Sequence, residues 1–160
     1  VYGLCLLSLY LVSTLFHCLY FTKARRLFQA FDHSSIYLLI AGTYMPYCLV
    51  GIGGKFGWGL WIAVALLMLF GILYHALAKP RYQIVETVIC VLAGWLCVLG
   101  FKPLFQVLGF PGLLLLLAGG IAFTLGAVVY SLKLKYVHIY WHLLVILGSA
   151  LMFCSIYFYL

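Results

Sequence analysis

Long uncharged stretches alternate with short polar ones along the whole chain. Six apolar runs can be read, at residues 1–21, 34–52, 57–77, 83–101, 111–131 and 138–160. Each run is long enough to cross about 30 Å of hydrocarbon as an α-helix. The strand-like alternation of a lipid-facing barrel is absent, so helices must satisfy the backbone in lipid. We therefore predict an all-α, polytopic membrane helix bundle with six transmembrane helices, forming a single domain over residues 1–160.

The composition agrees with a membrane location, because 68% of the 160 residues are hydrophobic, only 7% are charged, and the mean hydropathy is +1.25. The net charge of +7 would otherwise suggest a nucleic-acid partner. We exclude nucleic acid because no connection between the runs is long enough to present a basic domain. The expected partners are membrane lipids.

The basic residues instead indicate the topology. Two of the nine, Lys55 and Lys102, fall in the second and fourth connections. The other seven fall in the first, third and fifth connections: Lys23, Arg25, Arg26, Lys79, Arg81, Lys133 and Lys135. Cytoplasmic connections carry an excess of lysine and arginine. The odd connections are therefore predicted to be cytoplasmic, and both ends of this chain to lie outside the cell.

In this topology the ionisable groups other than lysine and arginine gather at one side of the membrane. All five histidines and one of the two acidic residues fall in the cytoplasmic half: His17, Asp32, His33, His75, His138 and His142. Polar groups in lipid are costly and usually have a role. This clustering therefore predicts a site near the cytoplasmic face.

The spacing of three histidines favours a metal site. His138 and His142 are four residues apart and share one helical face, as do Ser13 and His17. Three imidazoles on two helices can form three corners of a tetrahedron, and zinc held by three histidines with an open fourth position is a catalytic pattern. Asp32 would then hydrogen-bond a zinc-activated water or act as a base, and Ser13 would orient a ligand or a substrate carbonyl. The alternative is that the histidines only bridge helices through hydrogen bonds.

The remaining titratable residues have simpler interpretations. His33 and His75 are expected to lie at the membrane interface rather than to bind the metal. Glu86 lies near Lys79 and Arg81 at a predicted helix start, where it can form ion pairs and interact favourably with the helix dipole.

Four stretches together resemble the hemolysin III family, the bacterial relatives of the progestin and adiponectin receptors. They are STLFHC, FDHSSIYLLIAGTYMPY, a GW pair in the fourth run and VHIYWHLLVILGS, and they occur in the family's order. The family fold has seven transmembrane helices, so the resemblance implies that this chain corresponds to helices two to seven. In the receptor branch three histidines hold a zinc ion near the cytoplasmic face. By motif the ligands are His17, His138 and His142, with Asp32 and Ser13 beside them.

Two functions follow from this resemblance. The first is zinc-dependent hydrolysis of a membrane lipid amide or ester, because the receptor branch resembles ceramidase-type hydrolases. The alternative is a membrane-active (hemolysin-like, pore-forming or cytolytic) or lipid-sensing protein of the cell membrane, in which the zinc is structural. A retinal protein is excluded, because all six lysines fall outside the apolar runs.

Overall fold

The computed structural model describes residues 1–19, 21–79, 82–131 and 137–160, and the side chain of Arg26 is not described. The described residues form a bundle of helices. The helices are α1 (Tyr2–Cys18), α2 (Arg25–Pro46), α3 (Gly54–Leu77), α4 (Gln83–Trp95), α5 (Phe101–Ser131) and α6 (Val137–Tyr159). The all-α prediction is confirmed. Arg81, Lys133 and Lys135, which entered the topology prediction, lie outside the described residues.

The second helix changes its winding at a proline. Pro46 is the last residue of α2, and the chain continues as a π-helix over Tyr47–Ile52. Proline has no N–H to donate to the carbonyl four residues earlier, so the α-helical pattern is interrupted there. The turn into α3 follows at Gly53 and Gly54, both with positive φ (66° and 58°), which glycine adopts at little cost.

A long helical segment, Gln83–Ser131, must fold back on itself. Its 49 residues would extend roughly 74 Å as a straight helix, more than twice the hydrocarbon thickness of about 30 Å. The break lies at Gly109, with φ 63° and ψ −175°. The indole N–H of Trp95 donates to Thr124 Oγ1 at 3.1 Å, whereas 29 residues of straight helix would separate them by about 44 Å. The segment is therefore a helical hairpin, and the six predicted runs correspond to six helical arms.

The prediction for the fourth connection was wrong in detail. Residues 102–108 were expected to form a loop but belong to α5, so Lys102 lies in a helix. The reason is packing: Leu104 and Leu108 are one helical turn apart, each is 2% exposed, and both pack in a cluster with Tyr47 and Leu116. Burying this apolar stripe stabilises the extra helix.

A tyrosine from α2 secures the end of α4. The Tyr44 hydroxyl donates to the carbonyls of Ala93 and Gly94 at 2.7 and 2.9 Å, and it accepts the N–H of Cys97 at 2.7 Å. Here α4 gives way to a 3₁₀ turn, Leu96–Gly100, and backbone groups lose their regular partners. Tyr44 supplies replacements in a region where water is scarce.

The helices pack mainly against their neighbours in sequence, and α2 also contacts α4. Consecutive helices are neighbours, and α5 and α6 pack most extensively. A Cβ placed on Gly119 would lie 3.1 Å from the Gly148 carbonyl oxygen, so glycine allows these two backbones to approach closely. The first and last helices also meet, since the Tyr2 hydroxyl of α1 donates to the Ser149 carbonyl of α6 at 3.0 Å, and Tyr2 packs in one cluster with Val145.

The outside of the bundle is apolar. Four helical segments are long and apolar enough to cross a membrane, and α1, with 17 residues, is slightly shorter. Large hydrophobic side chains point outward along these helices, such as Leu4 (72% exposed), Leu66 (61%) and Phe158 (68%). An apolar surface of this extent is suited to lipid.

Candidate metal centre and cavities

Three histidines meet where the end of α1 lies against the start of α6. His17 is in the last turn of α1, and the i, i+4 spacing of His138 and His142 places both on one face of the first turns of α6. Their Nε2 atoms form a triangle with sides of 3.3 Å (His17–His142), 3.1 Å (His17–His138) and 2.9 Å (His138–His142). We call this the three-histidine cluster. His17 is exposed and the other two are partly buried.

The triangle fits a metal better than it fits hydrogen bonding. A neutral imidazole nitrogen is either a donor or an acceptor, so three Nε2 atoms cannot all be paired with one another. At least one side of the triangle must bring two lone pairs or two N–H groups together. Tetrahedral zinc with bonds of about 2.0–2.1 Å separates its nitrogen ligands by roughly 3.3–3.4 Å, within a few tenths of an ångström of the distances here. One cation would satisfy all three lone pairs at once.

A cavity of about 260 Å³ adjoins the cluster, and we call it the polar cavity because charged and polar side chains form part of its lining. His17, His138 and Asp32 line it, together with Gln29 and Tyr130. Asp32 lies in the second turn of α2, which places the only acid of that helix beside the imidazoles. A cavity of this size can hold several water molecules, and its polar lining offers them partners.

An apolar cavity begins on the other side of the same residues. Its lining includes Ser13, Asp32 and His142 at one end, and Cys48 and Leu104 far along the bundle. From Asp32 to Cys48 the α2 backbone rises about 24 Å. One bilayer leaflet has roughly 15 Å of hydrocarbon, so the lining residues extend over more than one leaflet, around a volume of about 130 Å³.

The structure thus brings Ser13, Asp32 and the three-histidine cluster to one place. Sequence reasoning missed Ile36 and Trp141, which together with Asp32 line both cavities. Helical spacing could have found them, because Ile36 is one turn after Asp32 and Trp141 one turn after His138.

Of the two suggested ion pairs of Glu86, the described residues test only the one with Lys79. Glu86 Oε1 accepts a hydrogen bond from His75 Nδ1 at 2.8 Å, and this is the contact that the structure gives it in place of Lys79, while Arg81 lies outside the described residues. His75 lies in the last turn of α3 and is buried, 7% exposed, with the His33 ring stacked on it at 4.9 Å. These two histidines were expected to lie at the interface rather than to bind the metal, and the distance between positions 33 and 75 in sequence gave no sign of their contact.

An all-α bundle with apolar outer faces and a histidine cluster at one end defines a multi-pass helical membrane protein. Comparison with known proteins identifies its kind: the family model described as "Haemolysin-III related" matches residues 1–153, and the chain belongs to this family.

The relatives of the chain come from bacteria and animals. Hemolysin-3 of Bacillus cereus is 42% identical over 99% of this chain and 73% of its own length. The Hemolysin-3 homolog of Bacillus subtilis (strain 168) is 38% identical over 99% of this chain and 75% of its own length. The human monocyte to macrophage differentiation factor is 28% identical over the whole chain and 69% of its own length, which links the chain to the wider receptor superfamily. No solved structure matches the chain.

Proposed function

We propose that this protein is a zinc-dependent hydrolase of a membrane lipid amide or ester, with its site near the cytoplasmic face. One observation carries the proposal: three converging Nε2 atoms, 2.9–3.3 Å apart, stand where a polar cavity meets an elongated apolar one. In such an arrangement a bound metal, water and a lipid would come within reach of one another.

His17, His138 and His142 would hold the zinc through Nε2. Bound by three histidines, zinc supplies Lewis acidity and lowers the pKa of a coordinated water to about 7. Proton transfer and substrate orientation are assigned to Asp32 and Ser13. Asp32, on the wall between the cavities, accepts a proton from water and returns it to the leaving group. Ser13, buried one turn before His17, donates a hydrogen bond to the substrate carbonyl.

Each of the two cavities would hold the part of the substrate that matches its lining. The apolar cavity takes the acyl chain, where Leu39 and Leu116 exclude water. The polar cavity takes water and the headgroup. The scissile amide or ester bond then lies beside Asp32, the residue that both cavities share.

The test is hydrolysis by Asp32→Asn protein in lipid vesicles, with zinc content measured on the same sample. We expect the variant to keep its metal and to lose about 10²–10⁴-fold in rate, the usual contribution of a general acid–base. Ser13→Ala should slow the reaction, whereas Thr14→Ala, the same kind of change on an exposed neighbour, should not. Unchanged hydrolysis by zinc-loaded Asp32→Asn protein would remove Asp32 from the mechanism.

A second candidate is membrane lysis, because two bacterial relatives at 38–42% identity carry the name hemolysin. Zinc would then be structural and would tie α1 to α6. Dye release from vesicles containing pure protein separates the two functions. Release that is insensitive to Asp32→Asn and unaccompanied by lipid cleavage would favour lysis over hydrolysis.

A further inference from the structure

A second group of metal-binding side chains lies where α2, α3 and α4 meet. It consists of His33, His75 and Glu86, one from each helix, and their ligand atoms all lie within 4.8 Å of one another. We propose that this His33–His75–Glu86 cluster is a second divalent-metal site, formed by residues separate from the three-histidine cluster.

The donor set suits a divalent transition metal. Two imidazoles and one carboxylate hold zinc in several hydrolases and iron in oxygenases. Glu86 is one of only two acids in the chain, and its side chain is 15% exposed. A carboxylate so withdrawn from water needs a hydrogen-bonding or positive partner; His75 supplies one at 2.8 Å, and a metal held jointly by Glu86, His75 and His33 would supply a stronger one.

Two of the present contacts must change for a metal ion to bind. His75 Nδ1 and Glu86 Oε1 are 2.8 Å apart, a hydrogen-bond distance, whereas two ligands of one tetrahedral ion stand roughly 3.3–3.4 Å apart. Binding of a metal ion therefore replaces the proton between His75 Nδ1 and Glu86 Oε1 and moves these two atoms apart by about half an ångström. The stacked ring of His33, tilted by only 24°, must also turn so that one nitrogen faces the ion.

The polar cavity connects the two clusters. His33 lines it together with His17 and His138, and Asp32 lies next to His33 in sequence. The three-histidine cluster joins α1 to α6, and the second cluster joins α2, α3 and α4. Two metals would thus tie together the same end of five helices.

The experiment is metal stoichiometry on the full chain in detergent, stripped with a chelator and reloaded with Zn²⁺. We expect two zinc ions per chain in the unaltered protein and one after His17→Ala together with His142→Ala. Glu86→Gln in that double variant should remove the remaining ion, as should His33→Phe.

These two substitutions keep the contacts with His75 described above. Glutamine still accepts the hydrogen bond from His75, and phenylalanine still stacks on its ring, so a merely structural cluster would leave zinc content unchanged. Thr87→Val, next to Glu86 on α4, is the matched control and should retain the ion. A single zinc in the unaltered protein that survives Glu86→Gln and His33→Phe would overturn the proposal. A single zinc lost with Glu86→Gln, but kept after His17→Ala with His142→Ala, would support it while removing the three-histidine site.

Discussion

Removing the metal from the three-histidine cluster should loosen the contact between the first and last helices of this chain. We expect His142→Ala to leave two ligands from distant parts of the sequence, since His17 and His138 are 121 residues apart. Two imidazoles hold zinc far more weakly than three. Another direct contact between α1 and α6 is the Tyr2–Ser149 hydrogen bond, which is 3.0 Å long. It lies about two turns beyond His142 along α6.

The size of the effect follows from mass action. Zinc at one hundred times its dissociation constant stabilises the folded state by about 2.7 kcal/mol. For a chain of about this length each kcal/mol moves the melting temperature by about 2–4 °C. Zinc should therefore raise the melting temperature by about 5–11 °C, and His142→Ala should abolish that rise at the same zinc concentration.

The assay is thermal unfolding in detergent with and without Zn²⁺. It is best done in a Glu86→Gln background, which confines the measurement to the three-histidine cluster. Thr14→Ala, an exposed position one turn from the end of α1, is the control and should keep the full shift. If the shift persists in both His17→Ala and His142→Ala proteins, the three imidazoles are ordinary helix-bridging groups and the reasoning fails.

Three further outcomes are expected. Zinc occupancy should fall as the pH drops, because protonated imidazole cannot coordinate a metal; metal content after dialysis at a series of pH values down to 4 measures this, and a flat profile would contradict it. Tyr44→Phe leaves the Cys97 N–H without its partner and should cost about 1–3 kcal/mol in unfolding assays, whereas Tyr140→Phe, at 54% exposure, should cost nothing measurable. In a cysteine-free background, Lys55→Cys should react with an impermeant thiol reagent in intact cells and Lys79→Cys should not; the reverse pattern would place the histidines outside.

Helix positions followed from the sequence because lipid imposes one strong rule, an apolar run of sufficient length. The rule does not fix where a helix ends, so residues 102–108, which carry Leu104 and Leu108, were assigned to a connection rather than to a helix. The stability of this segment comes from tertiary burial, which no run length reports. The π-helical continuation after Pro46 likewise depends on how the freed backbone groups find partners, a property of the folded bundle.

Part of the candidate site could also be predicted from the sequence, because some of its geometry is local to one helix. The i, i+4 spacing of His138 and His142 is local, and a helix converts it directly into a shared face. Their meeting with His17 could be suggested only from their similar depth in the membrane. The contact between His75 and Glu86 joins two helices through a tight connection, and nearby basic residues pointed to a different pairing. Spacing within one helix could be predicted from the sequence, whereas the contact between His75 and Glu86 on different helices could not.

The wall of Asp32, Ile36 and Trp141 between the two cavities also bears on the cell's ion gradients. A polar cavity of about 260 Å³ can admit water from one side, but the apolar cavity beyond it favours neither water nor ions, since a hydrophobic constriction empties of liquid. A continuous file of water through the bundle would let protons leak and drain the membrane potential. Ile36 and Trp141, which line both cavities, stand where the water-filled space would end. Water could then enter the polar cavity without forming a path for protons across the membrane.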